Sequence, residues 1–211
     1  MIMSQIFDIL FGQYSTYDTL DIVLEITAVI FGFLSVWFSK NNNIWVFPTG
    51  MISTAIFVYL LLKWELLGDM MINAYYFIMS VYGWYIWTRK VNGDRATPIS
   101  KTTAIEKQIS VLIFIATLGF VYLVYTIFDK WNDWTAYADT ITTAIFFVGM
   151  WLMARRKIEN WIYWIIGNII SVPLYFYKGF TFTSFQYFIF TFVAISGYKA
   201  WKKNINSNQL I

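Results

Sequence analysis

The chain has 211 residues, of which 59% are hydrophobic, 22% aromatic and only 13% charged. A soluble domain averages about 25% charged residues, so most of this surface does not face water. The net charge is +3, and the lack of Cys and His excludes disulfides, thiolate chemistry, the commonest metal ligand and the commonest general base.

A membrane-crossing helix needs about 17–25 mainly apolar residues. Seven such segments follow one another: 22–38, 44–62, 69–88, 108–128, 138–154, 160–178 and 182–201. Residues 1–21 precede them as an extracytoplasmic N-terminal segment. They carry Asp8, Asp18 and Asp21 and no Lys or Arg, unlike a cleaved signal peptide, whose start is positive. Within them, 5–14 reads as a short amphipathic or interfacial stretch. The first three spans form one unit, 22–88. Residues 89–107, with Gly93, Pro98 and several charges, read as an exposed cytoplasmic loop. The span 108–128 is a single linking helix that inverts the chain direction. Residues 138–201 form a second three-helix unit, and 202–211 a cytoplasmic tail. The expected fold is an all-α integral membrane protein with seven transmembrane helices in a 3+1+3 arrangement.

Charge supports this count. With seven spans, alternate loops lie on alternate sides, and of the 15 Lys and Arg residues only Lys63, Lys130 and Lys178 fall on the less basic side. The positive-inside rule then places the N-terminus outside and the C-terminus in the cytoplasm. The basic clusters at 155–157 and 201–203 read as topology signals and contacts with the lipid bilayer, not as a nucleic-acid patch.

The two units repeat. At an offset of 117, Gly32 matches Gly149, Lys40 matches Lys157, Asn43 matches Asn160 and Gly50 matches Gly167. The offset falls to 114 at Gly83/Gly197 and Trp87/Trp201. At 117, Glu25 aligns with Thr142, Phe47 with Trp164 and Met51 with Asn168. One helix between the units gives both the same orientation, so they read as parallel repeats around a central path.

Polar side chains in hydrocarbon are costly and usually face an interior. In the sixth span Trp161, Trp164, Asn168, Ser171 and Tyr175 share one helical face. Such a face can stack on a flat ring and hydrogen-bond its substituents. Trp161, near the helix start, fits an interfacial aromatic belt as well. The third span offers Asp69, Asn73, Tyr76 and Ser80, and its counterpart the seventh offers Thr183, Gln186, Tyr187 and Phe190. The fifth offers Asp139, Thr142, Thr143 and Phe146. The candidate substrate-binding residues are Trp164, Asn168, Trp161, Asn73, Tyr76, Gln186, Tyr187 and Thr142. Glu25, Asp69 and Asp139 fit interfacial carboxylates equally well. Pro48 and Pro173 interrupt the second and sixth spans, as bends or hinges. No phosphate-binding loop, dinucleotide fingerprint, metal spacing or nucleophile elbow is present, so neither an enzyme nor a cofactor is expected.

Several stretches resemble the PnuC family of vitamin transporters: Asn43-Ile-Trp45-Val-Phe-Pro48-Thr-Gly50, Tyr82-Gly83-Trp84-Tyr85-Ile-Trp87, Glu159-Asn160-Trp161-Ile-Tyr163-Trp164-Ile-Ile-Gly167-Asn168 and Pro173-Leu-Tyr175-Phe-Tyr177-Lys178-Gly179. The resemblance spans roughly residues 22–203. It implies a fold like that of SWEET sugar transporters, a homotrimer, and facilitated diffusion of nicotinamide riboside, which a cytoplasmic kinase then traps by phosphorylation. Related members carry thiamine or riboflavin. It also implies that Trp161, Trp164 and Asn168 lie at the substrate site. The residue chemistry agrees, since a cationic ring gains about 0.5–2 kcal/mol from each aromatic face and Asn or Gln can pair an amide in both directions. Thiamine, also a cationic aromatic vitamin, is the alternative substrate.

Overall fold

A computed structural model describes residues 18–64, 66–91, 94–95, 97–131, 133–179 and 181–208. The stretch expected at 5–14 lies outside the described residues. Each expected span falls on one helix: α1 (Thr19–Lys40), α2 (Val46–Lys63), α3 (Leu67–Thr88), α4 (Ala104–Ile127), α5 (Thr135–Ala154), α6 (Asn160–Tyr177) and α7 (Thr181–Asn208). A two-residue antiparallel ladder, β1 (Lys90–Val91) with β2 (Asp94–Arg95), is the only sheet among the described residues.

Helices α1, α2, α4 and α5 are long and apolar enough on their own to cross a membrane. The other three owe their lower hydropathy to Trp, Tyr and amide side chains, not to shortness. Even α6, the shortest of these at 18 residues, reaches about 27 Å, close to the thickness of a bilayer core. On α4, Leu112, Ile115 and Leu123 are 66%, 59% and 60% exposed, a surface suited to hydrocarbon.

Helices α1, α2 and α3 pack as one group and α5, α6 and α7 as another. The groups meet along α3–α5 and α1–α7, while α4 leans mainly on α5. Between the groups, Phe33 contacts Phe190 at 5.1 Å and Phe147 contacts Tyr76 at 5.9 Å.

Several boundaries differ from expectation for identifiable reasons. Helix α4 starts at Ala104 because Thr103 and Glu106 form a capping box, each side chain accepting from the other residue's backbone N–H. The segment 89–107 is not simply an exposed loop. Ile99 is buried, the Ser100 N–H donates to the Arg156 carbonyl, and the Thr102 N–H and hydroxyl both donate to Glu159. Most of the tail expected at 202–211 continues α7 to Asn208, with Ile205 packed against the core. Pro48 lies in the first turn of α2, where its missing N–H breaks no helical bond, whereas Pro173 is inside α6.

Matching contacts in the two helix groups recur at an offset of 114 residues. Phe47 packs on Gly83 and edge-on against Trp87; Trp161 packs on Gly197 and edge-on against Trp201, with ring angles of 88° and 89°. The turns repeat likewise, with the Asn43 N–H bonded to the Phe38 carbonyl and the Lys157 N–H to that of Leu152. The offset of 117 in the first two helices of each unit is therefore not the structural one. Glycine placement explains the difference. Where α1 crosses α2, a Cβ on Gly32 would lie 3.2 Å from Ser53 Oγ, and one on Gly50 3.1 Å from Ser35 Oγ. Where α5 crosses α6, the glycines are on the opposite partners: Gly167 lies under Phe146 and Gly149 beside Trp164. Matching glycines by identity thus slips the alignment by three residues, nearly one helical turn. In the structural register Trp164 stands opposite Gly50, Asn168 opposite Thr54 and Glu25 opposite Asp139.

Candidate functional site

The two groups enclose a cavity of about 260 Å³ lined from α1, α2, α3, α5, α6 and α7. Its lining is paired by the same register: Gly32 with Phe146, Val36 with Met150, Ser39 with Met153, Gly50 with Trp164, Thr54 with Asn168, Tyr76 with Phe190 and Ser80 with Ala194. The first member of most pairs is small, and the second is a ring, a thioether or an amide. The cavity therefore lies where a two-fold relation between the groups would place its axis, but its walls differ.

Three elements bring aromatic rings together. Phe146 on α5 stacks with Trp164 on α6 at 5.4 Å and 28°, and with Tyr187 on α7 at 5.9 Å and 9°. Tyr187 stacks on Tyr175 at 5.1 Å and 27°. Gly167 permits this, because a Cβ there would lie 2.3 Å from the Phe146 ring. Polar groups stand beside the rings. Asn168 is 3% exposed, and its amide has no hydrogen bond to any described residue. The Trp161 indole N–H is buried without a partner among the described residues. Buried polar groups normally have partners, so the Asn168 amide on the cavity wall marks hydrogen-bonding capacity open to a bound molecule.

Of the candidate residues, Trp161, Trp164, Asn168, Tyr76 and Tyr187 line this cavity. Asn73, Gln186 and Thr142 are outside its lining. Asn73 donates to the Asp69 carbonyl one turn earlier at 3.0 Å, and the Thr142 hydroxyl is turned onto the carbonyls of Ala138 and Asp139. Ser171, on the same α6 face, is buried but also outside the lining. Phe146 was absent from the candidates although it lies one turn beyond Thr142 on α5. The small residues Gly32, Ser35, Gly50, Ser53 and Thr54 were absent too. Only the 114-residue register would have pointed to them, as counterparts of α5 and α6 positions.

A second cavity, about 570 Å³, is bounded by the α3 start, the α4 end, the α5 start and the α6–α7 turn. It holds Asp69, Lys130, Asp133 and the ion pair of Lys178 with Asp139. The Thr135 hydroxyl and then its backbone N–H hold the Asp133 carboxyl below the usual range. Among the described residues, no group of three His, Cys, Asp or Glu is placed to hold a metal.

Long apolar helices around an internal, ring-walled cavity have the build of a multi-pass membrane carrier. Residues 22–203 match the family described as nicotinamide mononucleotide transporter, and the chain belongs to that family of transporters; it is not an enzyme. It is 24% identical over 201 residues to the nicotinamide riboside transporter PnuC of Escherichia coli (strain K12), covering 84% of each chain. It is 23% identical over 200 residues to the riboflavin/roseoflavin transporter RibM of Streptomyces davaonensis, covering 92% of this chain and 88% of that one. The crystal structure of the vitamin B3 transporter PnuC has the same fold, with a TM-score of 0.64 at 21% identity over 96% of this chain and 88% of that one.

Proposed function

We propose that this protein takes up nicotinamide riboside across a bacterial inner membrane by facilitated diffusion, and that phosphorylation by a cytoplasmic kinase traps the product. In this reading the protein is a homotrimer with its N-terminus outside and its C-terminus in the cytoplasm. Each protomer carries two parallel three-helix repeats joined by α4, and the cavity lies on the pseudo-two-fold axis between them. The observation that carries the reading is the cavity wall. Trp164, Phe146 and Tyr187 offer faces to a flat cationic ring, while Asn168 offers an unpaired amide to a carboxamide or ribose.

Size and charge narrow the substrate. About 260 Å³ lies just below the range of about 300–1,000 Å³ typical of small-molecule sites, which favours a compact ligand over the larger fused-ring riboflavin. The described lining has no Lys, Arg, Asp or Glu. A phosphate dianion there would lose its hydration without a cationic partner, which favours the riboside over its mononucleotide. A cationic ring suits the same lining through its aromatic faces.

Thermal stabilisation of the purified protein against nicotinamide riboside, its mononucleotide, thiamine and riboflavin tests the assignment, because a ligand that binds only the folded state raises the melting temperature. Nicotinamide riboside is expected to give the largest shift, and to enter proteoliposomes without an ion gradient. Stabilisation by thiamine alone would replace the substrate and leave the site in place.

A further inference from the structure

At the end of the bundle that carries the α1–α2 and α5–α6 turns, residues of the two groups meet their own counterparts. Ser39 Oγ lies 3.2 Å from Met153 Sδ, and both residues line the cavity. Just beyond them, Asn42 and Arg156 are each the left-handed residue of their turn, with φ of 51° and 58°. Arg156 donates to Asn42 Oδ1 from Nε at 3.1 Å and from Nη2 at 2.8 Å. In a two-fold arrangement, a residue touches its own counterpart only at the axis. These two layers therefore lie one behind the other across the central path.

The outer layer is braced from both groups. Arg156 is 3% exposed, Nη1 donates to the Thr97 carbonyl at 2.8 Å, and the guanidinium lies 4.1 Å from the centre of the Trp87 ring. Trp87 donates from its indole N–H to the Ala154 carbonyl of the second group, and Trp201 to the Ser39 carbonyl of the first. Divergence of the copies is essential to this contact. Two arginines meeting at the axis would repel, whereas one guanidinium and one amide oxygen attract.

We propose that Asn42 and Arg156, backed by Ser39 and Met153, form the gate that closes the central path at this end, and that release there requires Arg156 to leave Asn42. The proposal rests on the repeat and transport reading above, in which charge makes this end cytoplasmic.

The chain has no cysteine, so a Thr54→Cys thiol on the cavity wall can report access. A membrane-impermeant maleimide would be applied to inside-out vesicles. Asn42→Gly removes the amide yet accepts the left-handed turn, and should speed labelling from this side by about tenfold or more, as expected when the two charge-assisted hydrogen bonds from Arg156 stop favouring the closed state. Asn42→Asp, a stronger partner for Arg156, should slow it. Opposite signs from two substitutions at one position would not come from a merely structural role. Equal labelling in all three backgrounds overturns the gate, whatever the substrate. As a second measurement, Ser39→Cys with Met153→Cys should lose nicotinamide riboside uptake on oxidation and regain it on reduction. Uptake undiminished in the cross-linked protein also overturns the gate. No uptake by the reduced form would instead strike the substrate assignment and leave the labelling result to decide the gate.

Discussion

The first helix group crosses α1 over α2 with small residues on both sides, while the second crosses α5 over α6 with a ring against a glycine each time. In the first, the Ser35 hydroxyl donates to the Val46 carbonyl and the Ser53 hydroxyl to the Ala28 carbonyl, both at 2.8 Å. In the second, Phe146 covers Gly167 and Trp164 sits beside Gly149. The same backbone crossing thus supplies space and hydroxyls from one side of the cavity, and rings with an amide from the other. A nearly symmetric scaffold can in this way hold an asymmetric flat ligand without abandoning the helix packing of either half.

The strongest way to break this comparison is to fill a glycine of the second group. A Cβ at Gly167 would lie 2.3 Å from the Phe146 ring, so Gly167→Val should cost about 1–3 kcal/mol or more of stability and abolish binding as Phe146 is displaced. A melting curve and a titration would show both effects; normal binding would mean that Phe146 does not wall the site.

Next comes the polar pair. Asn168→Ala should weaken substrate binding by about 10- to 100-fold, the cost of one or two hydrogen bonds to a buried ligand. The ligand-free protein should not lose stability, because its buried amide has no described partner to lose. The counterpart Thr54 already donates to the Gly50 carbonyl at 2.8 Å, so Thr54→Ala should cost less than about threefold in affinity. Equal losses in the two titrations would erase the asymmetry argued here.

Trp164→Ala should cost about 0.5–2 kcal/mol of binding to a cationic ring, Trp164→Phe less, and either substitution less for a neutral ring than for a cationic one. Calorimetry with ligands differing in charge would separate stacking from cation attraction. The smallest effect is expected at Ser53. Ser53→Ala should lower stability by about 1 kcal/mol through the lost bond to Ala28, with affinity unchanged. A large fall in affinity there would give the first group a direct part in recognition.

Much of the fold was legible along the chain. Seven apolar stretches became seven helices because hydrocarbon demands internally satisfied backbone, and helix length follows from bilayer thickness. The α6 face was legible too, since Trp161, Trp164 and Asn168 recur with helical spacing and polar groups in hydrocarbon need a reason. Asn73 and Thr142 carried the same signal, a polar side chain inside an apolar span, but nothing in their spacing showed that they bond to their own helices instead.

Tertiary structure alone decided the register of the repeat and, with it, the far wall of the site. Identity aligned glycine with glycine, yet close packing requires only that one partner at each crossing be small, not that it be the same partner in both copies. Gly50 therefore read as the counterpart of Gly167 and Thr54 drew no notice, and they became cavity walls only when α2 was set opposite Trp164 and Asn168. The meeting of Asn42 with Arg156 belongs to the same class: a contact across a two-fold relation leaves no local pattern, because its two halves lie in different helix groups and only their packing brings them together.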